Sequence, residues 1–330
     1  MEWKIKHIFN FEQDKLWGNG YVHFGFHDKK GKQYMLQWDE HWLGHLTKDD
    51  QFTWTAGAVN KGLSDIHIDL DMKNPHYISE APDGTLIVSS NGNSKIFKIS
   101  PEKGTAELFI DTGRFGIKEF DTGNCVYDLD GSIWINDIRG CKVWQFDIGG
   151  NIIRALGDGI PGFQKESVPF DKVRFNWIYD LRLGPDGNIY VLDSKNFAVR
   201  MIDIDNKVVT TVVGTGESGY TGDGGDAVSA TLGSKPGEYF DGPLSMALDE
   251  DGNIYIGDTQ NHVLRMVDRS TSIITTIAGS RDIQPHKRND PQEKDPLKLN
   301  LPQIASLEYY DNCLVIPENE GDTIILEKVK

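Results

Sequence analysis

The 330-residue chain is poor in cysteine, in long apolar runs and in clustered basic residues, and each shortage excludes a class of protein. Its three cysteines, Cys125, Cys141 and Cys313, form no C-x-x-C pair, which predicts reduced, buried thiols rather than a disulfide framework. No apolar run approaches the roughly 20 residues that span a bilayer. The N-terminal stretch lacks the apolar core of a signal peptide, so we expect a cytoplasmic protein, unless the chain is a trimmed mature form.

Positive charge is also scarce. Lys and Arg number 34 against 50 Asp and Glu, and the net charge is −16. The longest basic cluster, Lys287-Arg288, is diluted by nearby acids. Because phosphate backbones and anionic lipids bind clustered Lys and Arg, we expect neither nucleic acid nor a membrane as a partner.

The sequence shows no helical 3.6-residue patterning and none of the linear motifs of common catalytic sites. A G-x-S-x-G nucleophile elbow, an H-E-x-x-H zinc motif and a Walker loop are all missing. Any active site must therefore be assembled from separate parts of the chain.

An internal repeat is what the sequence does contain. The segments GPDGNIYVLDSKNFAVRMIDIDNKVVTTVVGTG (184–216) and DEDGNIYIGDTQNHVLRMVDRSTSIITTIAGS (249–280) align without a gap as far as the final glycine. Four further segments share the outline of strand, Asp-Gly-type turn, alternating strand and polar turn before the later strands. The turn positions are Gly31, Gly84, Gly131, Gly187, Gly252 and, in the last copy, Asp311. Glycine there supplies the positive φ that such hairpin turns demand.

Four antiparallel strands per copy predict an all-β fold, a six-bladed β-propeller. The predicted blades cover residues 20–58, 75–111, 122–159, 176–216, 240–280 and 299–330 of a single domain, 1–330. The last copy stops after its third strand, and residues 3–10 alternate like a strand. We therefore predict that this N-terminal strand completes the last blade, which would remove exposed sheet edges.

One glycine-rich stretch, Gly214 to Gly219, fits the G-x-G-x-x-G pattern of a dinucleotide cradle. Such a cradle needs a following helix whose N-terminus meets the pyrophosphate. Here Asp223-Gly-Gly-Asp226 follows instead, no helix of useful length begins, and the carboxylates would repel phosphate. We predict an inter-blade loop that requires flexible or left-handed backbone.

Residues 184–280 resemble bacterial NHL-repeat proteins. The matching residues are Thr211 to Gly216, Gly222 to Gly225, Asp251 to Asp258, Asn261-His262 and Arg265. The resemblance implies the propeller fold. It does not imply one activity, because a single fold hosts many functions.

In this family a proline stands nine positions before the turn residue. In relatives whose sites are known, the residue after that proline points toward the channel mouth. Loops from all blades converge at that mouth, so equivalent positions can be compared. The six equivalents here are His23, His76, Gly123, Tyr179, Leu244 and Gln303. His23 and His76 belong to adjacent blades, and Gln303 flanks His23 on the other side.

His23 and His76 are therefore candidate ligands of a divalent metal, zinc or calcium. Pro75-His76 resembles the motif with which peptidyl-amidoglycolate lyases, also NHL propellers, hold zinc. SMP-30/gluconolactonase propellers hold a divalent cation near this register, and Asp241-Gly242 resembles their Asp-Gly pair, displaced by three residues. The alternative is that both histidines are partly buried and hydrogen-bonded to backbone.

The turn after the second strand offers further candidates. Asp137 and Arg139 place an acid close to a base and could engage a polar ligand. Trp38, Glu40 and His41 lie together in the first copy, and tryptophan suits sugar rings and cationic groups. Large aromatics also fill gaps between blades, so both interpretations stay open.

Two functions follow as hypotheses. In the first, a small molecule binds at the channel mouth and a metal assists its hydrolysis or lyase cleavage. Tyr179 is then the candidate acid or base, and Arg139 or Arg182 would clamp a substrate carboxylate. Asp241 and Gln303 complete the candidate ligand-binding set. In the second hypothesis the propeller is a non-catalytic platform for a protein or a carbohydrate.

Overall fold

The computed structural model describes residues 2–10, 22–38, 41–46, 52–57, 68–117, 120–234, 240–282, 287–304, 306–317 and 322–329, which form six β-sheets. Each sheet is one blade, and its strands are given from the channel outward. Blade 1 contains Val22–His27, Gln33–Gln37, Trp42–Leu46 and Phe52–Gly57. Blade 2 contains Pro75–Glu80, Leu86–Ser90, Lys95–Ser100 and Thr105–Asp111. Blade 3 contains Thr122–Tyr127, Ile133–Asp137, Lys142–Phe146 and Ile152–Leu156.

The second half of the ring repeats this order. Blade 4 contains Ile178–Leu183, Ile189–Asp193, Ala198–Asp203 and Val208–Val213. Blade 5 contains Ser245–Leu248, Ile254–Asp258, Val263–Val267 and Ile273–Gly279. Blade 6 contains Glu308–Tyr310, Cys313–Pro317, Asp322–Val329 and the N-terminal strand Glu2–Asn10.

The predicted six-bladed β-propeller is confirmed. The innermost strands of neighbouring blades contact each other around the whole ring, including blade 6 with blade 1. Glu2–Asn10 pairs antiparallel with Asp322–Val329, as predicted for the closing strand. Trp3 anchors that strand, because its ring meets the edge of Tyr255 in blade 5 at a centroid distance of 5.5 Å.

The turn glycines have the backbone that the repeat predicts. Gly31, Gly84, Gly131, Gly187 and Gly252 have φ values between 79° and 84°. In blade 6, Asp311 and Asn312 take up left-handed backbone at φ 48° and 60°. The shared turn thus survives where the last copy has lost its glycine, since Asn and Asp tolerate this region better than most side chains do.

The glycine-rich loop after blade 4 is structural, as predicted. Gly214, Gly216, Gly222 and Gly224 have φ between 82° and 98°, and only the three-residue 3₁₀ helix Ala227–Ser229 follows. Gly225–Asp226 adds a short fifth strand to the outer edge of blade 5.

The repeat did not predict these fifth strands. Blades 1 and 4 gain theirs from Ile68–Asp69 and Val168–Pro169. The other 3₁₀ helices are Asn91–Asn93, Thr112–Phe115, Ser194–Asn196, Thr259–Asn261 and Pro296–Lys298. Within the described ranges there is no helix with the length and hydrophobicity that a membrane crossing requires.

The hydrophobic core is divided among the gaps between blades. Five clusters of buried side chains each fill the space between two consecutive blades, from blades 1 and 2 round to blades 5 and 6. Leu36, Ile135, Val191, Ile256 and Leu314 on the second strands are fully buried, because both faces of a blade are covered by its neighbours. A sixth cluster lies apart from these cores and belongs to the candidate site.

Candidate functional site

The candidate site lies at one end of the channel. Because innermost and second strands are antiparallel, the segments that lead into innermost strands meet the turns between second and third strands at the same end. We call this end the upper mouth. The positions singled out by sequence comparison belong to these segments and turns.

Four aromatic side chains cross the upper mouth in edge-to-face contacts, and we call them the aromatic row: Trp38, His76, Tyr179 and Phe240. The His76 ring centroid lies 5.1 Å from that of Trp38 and 5.7 Å from that of Tyr179. Tyr179 in turn lies 6.0 Å from Phe240. The Tyr77 hydroxyl donates to the Tyr179 carbonyl at 2.6 Å, which holds the row across the channel. Such aromatic pairs add to the stabilisation from buried area.

The sixth apolar cluster adjoins this row, and we call it the mouth cluster. Ile138, Tyr179 and Leu244 are buried in it, and Trp177 and Phe240 are partly buried against them. These side chains come from blades 3 and 4 and from the segment leading into blade 5. Apolar surface at the end of a channel is what a ligand with a flat apolar face would cover.

Ile138 departs from a pattern that three other blades share. At the same turn position, Asn91, Ser194 and Thr259 each donate a side-chain hydrogen bond of 2.7–3.1 Å to a main-chain carbonyl of the next blade. Toward the next blade Ile138 offers its main-chain carbonyl, which accepts from the Ile178 N–H at 3.2 Å. Our sequence comparison missed this residue. The signal was an apolar side chain in a position that is polar in the equivalent turns.

Gly123 makes room at the mouth where its equivalents carry side chains. A Cβ built on Gly123 would lie 2.0 Å from Nδ2 of Asn136, so the Asn136 amide occupies the space of the missing side chain. Asn136 Nδ2 donates to the Ile178 carbonyl at 2.8 Å and ties blade 3 to blade 4. With no side chain at position 123, the rings of His76 in blade 2 and Tyr179 in blade 4 are in contact.

The rim of the upper mouth carries charged groups. The Arg139 Nε donates to Asp121, and the Arg139 side chain is 59% exposed. Asp121 also accepts from Asn91 of blade 2. The Lys195 ammonium lies 4.4 Å from the centroid of the Trp177 ring. Two cationic side chains on this rim could meet a carboxylate or another polar group of a ligand.

Asp137 is held by backbone donors. Its Oδ1 accepts from the N–H groups of Asp121 and Gly140, both at 3.1 Å. Burial raises the pKa of Asp137 from 3.8 to about 6, and the same cause raises the pKa of Asp193 and Asp258 to about 6. All three stand at the end of a second strand and accept from the segment leading into their own blade. A ligand-binding role for Asp137 stays a prediction.

Arg182 lies on the innermost strand of blade 4 and binds groups of the chain itself. Its Nη2 donates to Asp180 Oδ2 at 3.0 Å and to the Leu307 carbonyl at 3.2 Å, and its Nε donates to the Met246 carbonyl at 2.9 Å. Asp180 is fully buried and also accepts from Asn124 of blade 3. The carboxylate that Arg182 clamps in the structure is therefore Asp180, and the pair fastens blades 4, 5 and 6.

The turn of blade 1 is tied to blade 2. Nδ1 of His41 accepts from the Asn74 N–H at 3.0 Å, and Asn74 Nδ2 donates to the Trp38 carbonyl at 3.3 Å. Of the predicted ligand-binding set, Trp38 reaches the aromatic row, and Glu40 lies outside the described residues.

The predicted metal ligands are only partly described. His23 lies on Val22–His27, but its side chain is outside the described part. His76 is buried and contacts the rings of Trp38, Tyr77 and Tyr179, which are not the ligands that zinc prefers. Among the described residues, no three His, Cys, Asp or Glu side chains form a group that could hold a metal ion. Because the His23 side chain is outside the described part, a metal held by His23 and His76 stays a prediction.

Two predicted ligand-binding residues flank the mouth. Asp241 is buried in the segment leading into blade 5, and its carbonyl accepts from the Ser234 N–H at 2.8 Å. Gln303 is partly exposed in the segment leading into blade 6.

Comparison with curated proteins finds local matches, among them an NHL repeat-containing protein. The chain is 28% identical over 142 residues to "Protein SUPPRESSOR OF QUENCHING 1, chloroplastic" of Arabidopsis thaliana, which covers 41% of this chain and 12% of that protein. It is 29% identical over 90 residues to human "NHL repeat-containing protein 2", which covers 27% of this chain and 11% of that protein. The chain thus spans about a tenth of the length of these relatives. No protein-family model matches it.

Solved structures share the whole fold. Virginiamycin B lyase from Staphylococcus aureus aligns with 99% of this chain and 100% of its own, at 13% identity and a TM-score of 0.61. An auxiliary nutrient binding protein from Bacteroides thetaiotaomicron aligns with 94% of this chain and 70% of its own, at 14% identity and a TM-score of 0.60. The local matches to NHL repeat-containing proteins and the shared fold support an NHL-type β-propeller, and the solved structures, at identities this low, show the fold alone.

Proposed function

We propose that this NHL-type propeller binds a small ring-shaped molecule, such as a sugar or an aromatic acid, at its upper mouth. The observation that carries the proposal is the mouth cluster. It is apolar, lies apart from the five cores between blades, and includes Ile138 where equivalent turns have a hydrogen-bonding side chain.

The chemistry of the mouth supports a ring with a polar substituent. The partly buried faces of Trp177 and Phe240 would cover a flat apolar surface. Arg139 and Lys195 at the rim would meet a carboxylate or a hydroxyl group. Two proteins of similar fold are named for the small molecules they handle. One is a nutrient binding protein, and the other is a lyase named for its substrate.

A ligand screen with a matched pair of variants tests the proposal. A panel of monosaccharides, sugar acids and aryl carboxylates would be screened by saturation-transfer NMR, and the binders titrated against wild type, Trp177→Ala and Trp144→Ala. Trp144 is a partly buried tryptophan on the third strand of blade 3, away from the mouth cluster. We expect Trp177→Ala to weaken binding by about tenfold and Trp144→Ala to leave it unchanged. Equal affinities in both variants would refute binding at this mouth.

Turnover of a bound compound separates an enzyme from a binding platform. Tyr179 and Arg139 remain the candidate catalytic groups at the mouth, and Tyr179→Phe removes the hydroxyl while it keeps the ring contacts. If wild type converts the ligand, we expect Tyr179→Phe to bind it with little change and to convert it much more slowly. Tight binding without conversion by wild type would favour a non-catalytic platform.

A further inference from the structure

Two inter-blade segments have the same design. Residues 157–170, before blade 4, align without a gap with residues 214–227, before blade 5. In each segment two residues pair with the outer strand of the following blade at the same aligned position. In each, an aromatic ring lies over a buried arginine of that blade, at 5.4 Å for Phe163 over Arg200 and 5.1 Å for Tyr220 over Arg265.

Each nitrogen of the Arg265 guanidinium donates a hydrogen bond in blade 5. Its Nε and Nη2 both donate to Asp223 Oδ1, at 3.1 and 2.7 Å. Its Nη2 and Nη1 also donate to the carbonyls of Thr221 and Thr231, at 2.8 and 2.9 Å. Asp223 thus takes the side of the guanidinium formed by Nε and Nη2, an arrangement suited to a carboxylate.

The Nε and Nη2 side of the Arg200 guanidinium has no such carboxylate in the described part of the chain. Its side chain is fully buried, and its Nη1 donates to Asp193 Oδ2 at 3.4 Å. Its Nε and Nη2 find no hydrogen-bond partner among the described residues. Burial lowers the pKa of Arg200, whereas Asp193 acts in the opposite direction. A buried guanidinium with unmet donors costs free energy, so a conformation that supplies an acceptor is favoured.

The aligned position of Asp223 is occupied by Glu166, whose side chain is exposed in the structure. We propose that Glu166 is the carboxylate partner of Arg200, and that residues 163–167 close inward to place it on Nε and Nη2. The neighbours of Glu166 already lie on blade 4: the Gln164 carbonyl accepts from Thr211 Oγ1 at 3.4 Å, and Ser167 Oγ is 2.8 Å from Thr210 Oγ1. Closure therefore needs a local rotation of the segment rather than its detachment.

The proposed pair lies close to the upper mouth but does not depend on the proposed ligand. Asp193 Oδ1 accepts from the Asn176 N–H at 2.7 Å, next to Trp177 of the mouth cluster, while Asp193 Oδ2 accepts from Arg200. One carboxylate thus connects the buried arginine with the segment that leads to the mouth.

A double-mutant cycle on thermal stability tests the pair in the intact chain. Glu166→Gln keeps the shape of the side chain and removes its charge, and Arg200→Met removes the donors. We expect Glu166→Gln to lower the melting temperature by several degrees in the native background and to change it little in the Arg200→Met background. Asp171→Asn, which removes an exposed acid one residue beyond this segment, is the matched control and should leave the melting temperature unchanged in both backgrounds. Equal shifts from Glu166→Gln in both backgrounds, or none in the native one, would overturn the proposal.

Two further measurements cover other outcomes. If Arg200→Met does not fold, the Arg200 side-chain Nε–H is followed by NMR, where we expect slow exchange with water in wild type and fast exchange in Glu166→Gln. An unchanged exchange rate would overturn the pair. The second measurement is the melting temperature with added sulfate at constant ionic strength. If sulfate raises it equally in wild type and Glu166→Gln, and not in Arg200→Met, the site binds a dissolved anion. That result would overturn the role of Glu166.

Discussion

His76 and Tyr179 meet edge to face across the upper mouth, with ring centroids 5.7 Å apart and ring planes at 77°, although blade 3 stands between their blades. Blade 3 permits the contact because its residue at the same register is Gly123. The Asn136 amide takes the place of a side chain there and binds the Ile178 carbonyl. A missing side chain on one blade thus decides which rings from its two neighbours can meet.

Adding a methyl group at Gly123 should therefore disturb the mouth. In Gly123→Ala the new Cβ would lie 2.0 Å from Asn136 Nδ2, so the amide must move and its bond to Ile178 is lost. We expect the free energy of unfolding in urea to fall by about 1–3 kcal/mol. Gly149→Ala is the control, because the nearest atoms to its Cβ lie at 3.3 Å on exposed side chains. Equal stability of the two variants would show that the Asn136 position is not constrained.

The hypothesis that His23 and His76 bind a metal makes its own prediction. It requires about one divalent ion per chain in protein purified without chelators, and the ion should disappear from the His23→Ala/His76→Ala variant. His45→Ala is the control, because Nδ1 of His45 lies 2.9 Å from Thr55 Oγ1, away from the mouth. Elemental analysis of the three proteins provides the measurement. A metal-free wild type would contradict the hypothesis and leave His76 as an aromatic-row residue.

The Asp180–Arg182 pair predicts a large loss of stability when one partner is removed. Arg182→Met leaves the fully buried Asp180 carboxylate without its cation and removes the bonds to Met246 and Leu307. We expect the free energy of unfolding to fall by about 3–5 kcal/mol, because an uncompensated buried charge is costly.

Removing both partners distinguishes this explanation from simple loss of packing. The double variant Asp180→Asn/Arg182→Met should lose less stability than Arg182→Met alone, since no buried charge remains. Lys30→Met breaks a fully exposed pair with Glu102 and should leave urea unfolding almost unchanged. A double variant that is less stable than Arg182→Met would contradict the electrostatic explanation.

The blades could be predicted from the sequence because their determinants are local. Alternation along a strand and a glycine at the turn between the first two strands depend on a few adjacent residues. The alternation recurs in every copy, and the glycine recurs in five of the six. Blade 6 shows that the turn does not depend on glycine alone. Asp311 keeps left-handed backbone in the position of the lost glycine, so the register of blade 6 could be assigned without a glycine.

The candidate site was harder to predict because its contacts join distant blades. Arg182 was, with Arg139, a candidate clamp for a substrate carboxylate. In the structure it binds Asp180, two residues away, and main-chain carbonyls of blades 5 and 6, which no side-chain pattern reveals. Ile138 and Trp177 were missed because our comparison searched for polar and ligating residues. Comparing the turns for an unexpected apolar residue would have identified Ile138.

Asp137 leads to a prediction about pH. Burial raises its pKa to about 6 in the folded chain, above the ordinary value of 3.8, so the folded state holds this proton more tightly than the unfolded state does. The resulting stabilisation is fully present below pH 4 and is lost as the pH rises through about 6. Asp137→Asn keeps an oxygen for the Asp121 and Gly140 N–H groups but cannot ionise. The free energy of unfolding should fall between pH 4 and 7 in wild type more than in Asp137→Asn. We expect the difference between the two decreases to reach up to about 2 kcal/mol.

Urea unfolding at intervals of about half a pH unit measures this difference, and Asp205→Asn is the control, because it removes an exposed carboxylate of blade 4. We expect the Asp205→Asn curve to run parallel to that of wild type. The Asp137→Asn curve should instead lie close to wild type at low pH, separate from it between about pH 4 and 6, and run parallel to it at higher pH. Parallel curves for all three proteins would mean that the Asp137 carboxyl titrates alike in the folded and unfolded chains, and that its burial against backbone donors does not favour the protonated form.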